Sequence, residues 1–225
     1  MLPVLNILEY LRMHGTGARL LAVGSSEVYG PVDASALPLV ETRTPNPVSP
    51  YALSKLMQEQ LCLQYAGLYD IDVVLTRSFN HTGPGQAETF VLPSFARQIV
   101  EIKRGEHARK IKVGNIDIRR DFLDVSDVCR AYISLLRRGR RGGVYNVCSG
   151  TSYSLRELLE KLAAIAGLEI GIEVDTERVR PVDIEELRGD NTRIVSDTGW
   201  SAQVSIDQTM ASLLDHWMAK RNVQY

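Results

Sequence analysis

Two short runs, Leu20-Leu-Ala-Val23 and Asp72-Val-Val-Leu-Thr-Arg77, are apolar at most positions, and each follows a segment of helical period. Strands covered on both faces read this way, and their alternation with helices predicts a parallel, doubly wound α/β sheet. The first helical segment carries Leu5, Leu8 and Leu11 and stops near His14-Gly15; the second starts at Pro50 and runs through Leu56, Leu61, Leu63 and Tyr65 to about Tyr69. The first strand breaks at Gly24 into Ser25 and Ser26. Hydroxyls then stand at the carboxyl end of a buried strand, where open α/β sheets bind ligands.

Further along, Phe90 to Ile102 reads as an amphipathic helix with Pro93 in its first turn, and Ile111-Lys-Val-Gly-Asn115 as a short strand and turn. Asp127 to Leu136 reads as a helix, Gly143 to Cys148 as a strand, and Ser154 with Glu157 as a capping box opening another helix. Ile170 to Val174 alternates as a strand. A last helix, Ile206 to Met218, places Met210, Leu213, Leu214 and Trp217 on one face.

The chemistry of the chain centres on Ser49-Pro-Tyr-Ala-Leu-Ser-Lys55. Proline suits the first turn of a helix, so Tyr51 and Lys55, four apart, share one face. A phenol titrates near pH 10, and a neighbouring ammonium stabilises its phenolate and makes it a usable proton donor. Tyr and Lys are also ordinary helix residues, and the pair alone does not separate a reaction centre from a solvated face. The Ser25-Ser26 turn upstream is the second piece.

The bulk charge adds little. With 26 basic and 27 acidic residues the net charge is −1, which gives no electrostatic reason to expect nucleic acid or an anionic membrane. No apolar run approaches the roughly 20 residues of a membrane span. The N-terminus also lacks the pattern of a cleaved signal, so the cytoplasm is the expected compartment. Cys62, Cys129 and Cys148 are odd in number and set among apolar residues, and read as small buried hydrophobes. The four histidines are scattered without ligand spacing, and no metal site is expected.

Taken together, Ser25, Tyr51 and Lys55 resemble the catalytic triad of the extended short-chain dehydrogenases/reductases. Further segments resemble the nucleotide-sugar branch that contains GDP-6-deoxy-D-mannose reductases and GDP-mannose 4,6-dehydratases: Arg77-Ser-Phe-Asn-His-Thr-Gly-Pro-Gly-Gln86, Arg120-Asp-Phe122, Arg180-Pro-Val-Asp183 and Gly189-Asp-Asn191. Such a fold begins with a strand and a Gly-x-x-Gly-x-x-Gly turn whose backbone N–H groups reach the cofactor pyrophosphate. No such stretch occurs here, and the family's chains are longer at the N-terminus. The expected fold is therefore the C-terminal part of a Rossmann-type doubly wound sheet plus a smaller α/β substrate-binding domain. Residues 1–82 and 122–150 would form the dinucleotide-binding part and 83–121 and 151–225 the nucleotide-sugar part.

The resemblance implies reduction of GDP-4-dehydro-6-deoxy-D-mannose to GDP-D-rhamnose with NADP or NAD. Tyr51 would donate the proton, Ser25 would hold the ketone, and Lys55 would lower the Tyr51 pKa and bind the nicotinamide ribose. Arg77 is expected on the cofactor, with Ser26, Asn80, Arg120, Arg180 and Asp183 on the GDP-sugar. Arg120 and Arg180 suit its pyrophosphate, and Asp183 matches a position that accepts from the nucleotide ribose. Plainer roles stand beside these: Asn80 as a turn former, and Asp183 as a cap for a helix over Ile184–Leu187. In the dehydratases the acid matching Glu27 removes a sugar C5 proton, while reductases carry Glu there without that need; Glu27 leaves both open. A dehydratase and a non-catalytic nucleotide-sugar-binding fragment are the alternatives. Relatives dimerise through the first helix and the Tyr51 helix, which implies a homodimer.

Overall fold

The computed structural model describes residues 2–175 and 184–220. Its first sheet is β1 (Leu20–Val23), β2 (Val73–Ser78) and β6 (Val144–Val147), parallel throughout in the order β1-β2-β6. The register pairs Leu20 with Val73 and Leu75 with Val144. Every side chain of β2 is buried. Along β2 alternate side chains point to opposite faces, so one strand feeds two cores. Val73 and Leu75, with Ala22 of β1, pack on α1 (Leu2–His14) and α2 (Pro50–Tyr69) through Leu8, Cys62 and Ala66. Val74 packs on the other side against α4 (Val125–Arg138) through Val128, Ala131 and Leu135. Helices on both faces of a parallel sheet make the doubly wound α/β class.

A close approach sets the end of β1. The Gly24 N–H donates to the Thr76 carbonyl at 2.9 Å, and a Cβ at Gly24 would lie 2.2 Å from that oxygen. Only glycine fits. The chain then makes a 3-10 turn, Ser26–Tyr29, capped by the Ser25 side chain, which accepts from the Glu27 N–H. Gly30 closes the turn at φ +66, again with no room for a side chain, since Asn46 O would lie 1.9 Å from its Cβ.

The remaining elements build a second body of structure. α3 (Val91–Lys103), α5 (Leu155–Ala166) and α7 (Ile206–Ala219) share one core with Ile111, Val113 and Phe122. Both predicted ends are present there: Ser154 and Glu157 form a reciprocal capping box, and Met210, Leu213 and Leu214 are buried. β4 (Lys110–Val113) pairs in parallel with β8 (Gly171–Val174). β5 (Arg119–Asp124) is the hub of another sheet, parallel to β3 (Asn80–Thr82) and β9 (Glu186–Leu187) and antiparallel to β7 (Ser152–Ser154).

Several expectations need correction. Glu186–Leu187 is a strand on β5, so there is no helix over Ile184–Leu187 for Asp183 to cap. Asp183 itself, with Arg180, lies outside the described residues. Cys62 and Cys148 are buried, and burial pushes the Cys62 thiol up to about 11, but Cys129 is exposed. The reason is its place on α4: Val128, Ala131 and Leu135 take the inner face, and residue 129 falls on the outer one. α6 (Thr192–Thr198) and Trp200 pack on the first sheet, although they come late in the chain. Among the described residues no helix is long and apolar enough to cross a membrane.

Asp121 joins the two bodies. Fully buried in β5, it accepts from Ser149 N at 2.8 Å, Ser149 Oγ at 2.7 Å, Gly150 N at 3.0 Å and Gly189 N at 3.4 Å. Burial raises its carboxyl above the ordinary range, and the four donors oppose that rise. Asp121→Ala strands these donors in a dry site and is expected to cost about 3 kcal/mol or more, read from urea unfolding. A second expectation comes from β1, which among the described residues pairs on one side only, next to an α4 whose outer Val125, Ile133 and Leu136 are exposed. Such an edge with an apolar flank favours association. The 225-residue chain should self-associate in sedimentation velocity, and Ile133→Glu with Leu136→Glu should move it toward smaller species.

Candidate active site

The helix that carries Tyr51 begins as its sequence dictates. Pro50 occupies the first turn, and Ser49 Oγ accepts from Ala52 N at 3.1 Å. Tyr51 is about half exposed, at 51%. One turn on, Lys55 Nζ lies 5.9 Å from the centre of the Tyr51 ring and donates to the Val23 carbonyl at 3.0 Å. Gln58 Nε2 donates to the same oxygen at 3.1 Å. That carbonyl ends β1, so Lys55 ties the Tyr51 helix to the strand end that leads into Ser25.

Ser25 and Ser26 are buried in the turn, and Glu27 projects from it into solvent. Asn80 is exposed where β3 leaves the carboxyl end of β2. Tyr51, Lys55, Ser25, Ser26, Glu27 and Asn80 therefore belong to one end of the first sheet. Arg120 is half-buried in β5, and its Nη1 donates to Arg119 O at 2.8 Å and Ile184 O at 2.7 Å. It sits in the second body, on the strand that β3 joins to the first.

Arg77 lies inside the protein. On β2 it alternates with Thr76 and Ser78 and points to the α2 side, where it is 4% exposed. Its Nε and Nη2 grip Glu59 at 3.0 and 2.7 Å, and Nη1 donates to Glu41 O at 3.1 Å. The Tyr29 ring covers the guanidinium at 4.8 Å. Burial works against the Arg77 charge, but the paired Glu59 carboxylate outweighs it and raises the guanidinium above its ordinary value. Its Nε, Nη1 and Nη2 each have a partner inside the protein.

Tyr29 and Glu59 escaped the sequence reading. Burial pushes the Tyr29 phenol up to about 12, and its hydroxyl donates to Asn146 Oδ1 at 2.7 Å. The available signal was the spacing of Tyr51, Lys55 and Glu59, which repeats every four residues along one helix face. On the opposite face of β2, Ser78 Oγ and Tyr132 Oη are 2.8 Å apart, and Thr76 Oγ1 is 3.2 Å from Ser78 Oγ. A small apolar hollow lined by Ile99, Leu214 and Met218 belongs to the α3-α5-α7 core, which includes neither β1 nor α2.

A phenol beside an ammonium, with a buried hydroxyl at a strand end, can deliver a proton to an oxygen on which negative charge develops. The same end has the donors a sugar or ribose hydroxyl would meet: the Lys55 N–H groups not given to Val23 O, the serine hydroxyls and the Asn80 amide.

Comparison with known proteins gives the family. The family model described as GDP-mannose 4,6 dehydratase matches residues 1–213. The GDP-6-deoxy-D-mannose reductase of Pseudomonas aeruginosa is 44% identical over 220 residues, which cover 98% of this chain and 72% of that one. GDP-mannose 4,6 dehydratase 1 of Arabidopsis thaliana is 29% identical, covering 94% of this chain and 59% of its own length. The solved structure of RMD from Pseudomonas aeruginosa complexed with NADPH superposes with a TM-score of 0.93 at 43% identity, over 97% of this chain and 73% of that one. The chain belongs to the GDP-mannose 4,6 dehydratase family, within the extended short-chain dehydrogenases/reductases, whose members are nicotinamide-dependent nucleotide-sugar enzymes.

Proposed function

We propose that the chain reduces the 4-keto group of GDP-4-dehydro-6-deoxy-D-mannose, giving GDP-D-rhamnose, with NADPH or NADH. The observation that carries this reading is the Tyr51-Lys55 pair held by Val23 O beside the Ser25 turn. The 44% identity to a reductase supports it. A bound reduced nicotinamide supplies hydride to sugar C4. The chain's residues handle the oxygen. Ser25 orients the ketone by a hydrogen bond, and Tyr51 gives its proton to the oxygen as charge builds there. Lys55 stabilises the resulting phenolate, and its remaining N–H groups are free to hold the nicotinamide ribose.

Ser26 and Asn80 are placed at the same strand ends, suited to sugar hydroxyls. Arg120, Arg180 and Asp183 complete the proposed GDP-sugar contacts, of which Arg120 is described. The division of labour follows the cores: residues 1–82 and 122–150, joined by α6 and Trp200, serve the cofactor side, and the α3-α5-α7 body serves the nucleotide sugar. We place the protein in the cytoplasm, as three free thiols suit a reducing compartment. We also propose a homodimer through α1 and α2, whose outer faces expose Ile7, Tyr10, Met13, Leu53 and Met57. The reading includes no metal and no nucleic-acid or membrane partner.

Glu27 keeps a second reading in play. It is an exposed carboxylate two residues from Ser25, placed to take a proton from bound sugar, as a dehydratase requires.

Tyr51→Phe is expected to lower turnover by about 10²-fold or more with little change in nucleotide-sugar affinity, because the phenol acts in the transition state. Unchanged turnover removes Tyr51 from the mechanism. Glu27→Gln separates the two readings: a reductase keeps most of its ketone reduction and consumes nicotinamide stoichiometrically, monitored at its absorbance band. Conversion of GDP-mannose to the keto sugar with no net cofactor loss, abolished by Glu27→Gln, assigns the dehydratase instead.

A further inference from the structure

We infer that Arg77 is a positioning residue, which with Glu59 and Tyr29 sets the placement of the Tyr51 helix against the Ser25 turn. The inference rests on the reading that Ser25, Tyr51 and Lys55 act together. Those three groups come from two elements that share no covalent constraint: a strand-end turn and a helix some twenty residues later. Something must hold them in register, and Arg77 touches both.

The helix side is a two-pronged bond. Tyr51, Lys55 and Glu59 occupy successive turns of one face, and Glu59 is 4% exposed. Arg77 meets both of its oxygens, at 3.0 and 2.7 Å. A fork-to-fork contact fixes rotation as well as distance, which a point charge or an apolar contact does not. The turn side is a stacked ring. Tyr29 is the last residue of the 3-10 turn that Ser25 caps, and it lies 4.8 Å from the guanidinium with its hydroxyl anchored on Asn146. A third bond, to Glu41 O, holds the connection between turn and helix. Glu41 in turn accepts from Asn146 N at 2.9 Å.

Stability alone does not account for such a site. Burying two charges forfeits their hydration, and well-packed apolar residues of like volume often hold a core as well or better. What the ion pair adds is a unique geometry, and a misplacement of about 1 Å at a reaction centre costs up to ~10²-fold in rate. The catalytic pair is one and two turns from Glu59, so a rotation of the helix there displaces the Tyr51 hydroxyl and the Lys55 bond to Val23 O together.

The test compares Glu59→Leu/Arg77→Met, Glu59→Asp and Arg77→Lys with the unaltered 225-residue chain, following thermal unfolding, kcat and KM for the keto sugar, and the ring signals of 13C-labelled Tyr51. The apolar double variant should unfold near or above the wild-type temperature, yet lose about 10-fold or more in kcat with KM within about 3-fold, and its Tyr51 signals should move. Glu59→Asp keeps the charge and serves if the double variant does not fold; a shortened arm should show the same split. Folded variants with unaltered kcat and unmoved Tyr51 signals overturn the inference. Failure of the wild-type chain to reduce the keto sugar, with Tyr51 signals that still move in the variants, refutes the functional reading and leaves the positioning role standing.

Discussion

Strand β2 has no face toward water, and the rest of the structure answers that constraint. Each of its six side chains must meet a partner, and they divide by parity. Val73 and Leu75 need apolar cover and obtain it from α1 and α2; Val74 obtains it from α4. The same parity sends Arg77 under α2 and Thr76 and Ser78 toward Tyr132. A guanidinium in that position has to be matched by a buried carboxylate, so Glu59 is demanded by Arg77 as the leucines are demanded by the valines. The helix that carries Tyr51 is thus docked by apolar area along its length and gripped by the Arg77–Glu59 pair.

The local parts of this fold were legible in the sequence because their causes are local. A proline after a serine starts α2, a capping box starts α5, and short apolar runs mark β1, β2 and β6. What stayed hidden depends on distant partners. β3, β7 and β9 are two or three residues long and exist as strands only because β5 lies beside them. Arg119 and Arg120 do not read as a buried strand, since their charged heads turn out to backbone carbonyls and Ser152. Cys129 was misjudged for a related reason: apolar neighbours in sequence are not apolar neighbours across a helix.

The candidate site divides in the same way. Residue types at fixed spacing, Ser25 with Tyr51 and Lys55, are a motif and can be recognised. Arg77 belongs to a motif too, but a guanidinium suits phosphate and buried carboxylate equally well, and it is the parity of β2 that brings it to Glu59. The ring of polar groups behind the motif, Tyr29, Glu41, Glu59 and Asn146, has no compositional signature. Each is an ordinary residue until the fold removes its water.

Gly24 bears on how this protein can change over generations. The Ser25 hydroxyl and the Lys55 anchor meet at a point where the backbone of β1 passes within reach of the Thr76 carbonyl, closer than any side chain permits. At the far end of the turn Gly30 is held as tightly, with Asn46 O in the place a Cβ would take. A substitution at Gly24 must push two strands apart, and it moves the serine and the lysine's carbonyl with them. Gly24 has no functional group, yet a change there disturbs both at once, so substitutions that spare this end of the sheet have to fall around it.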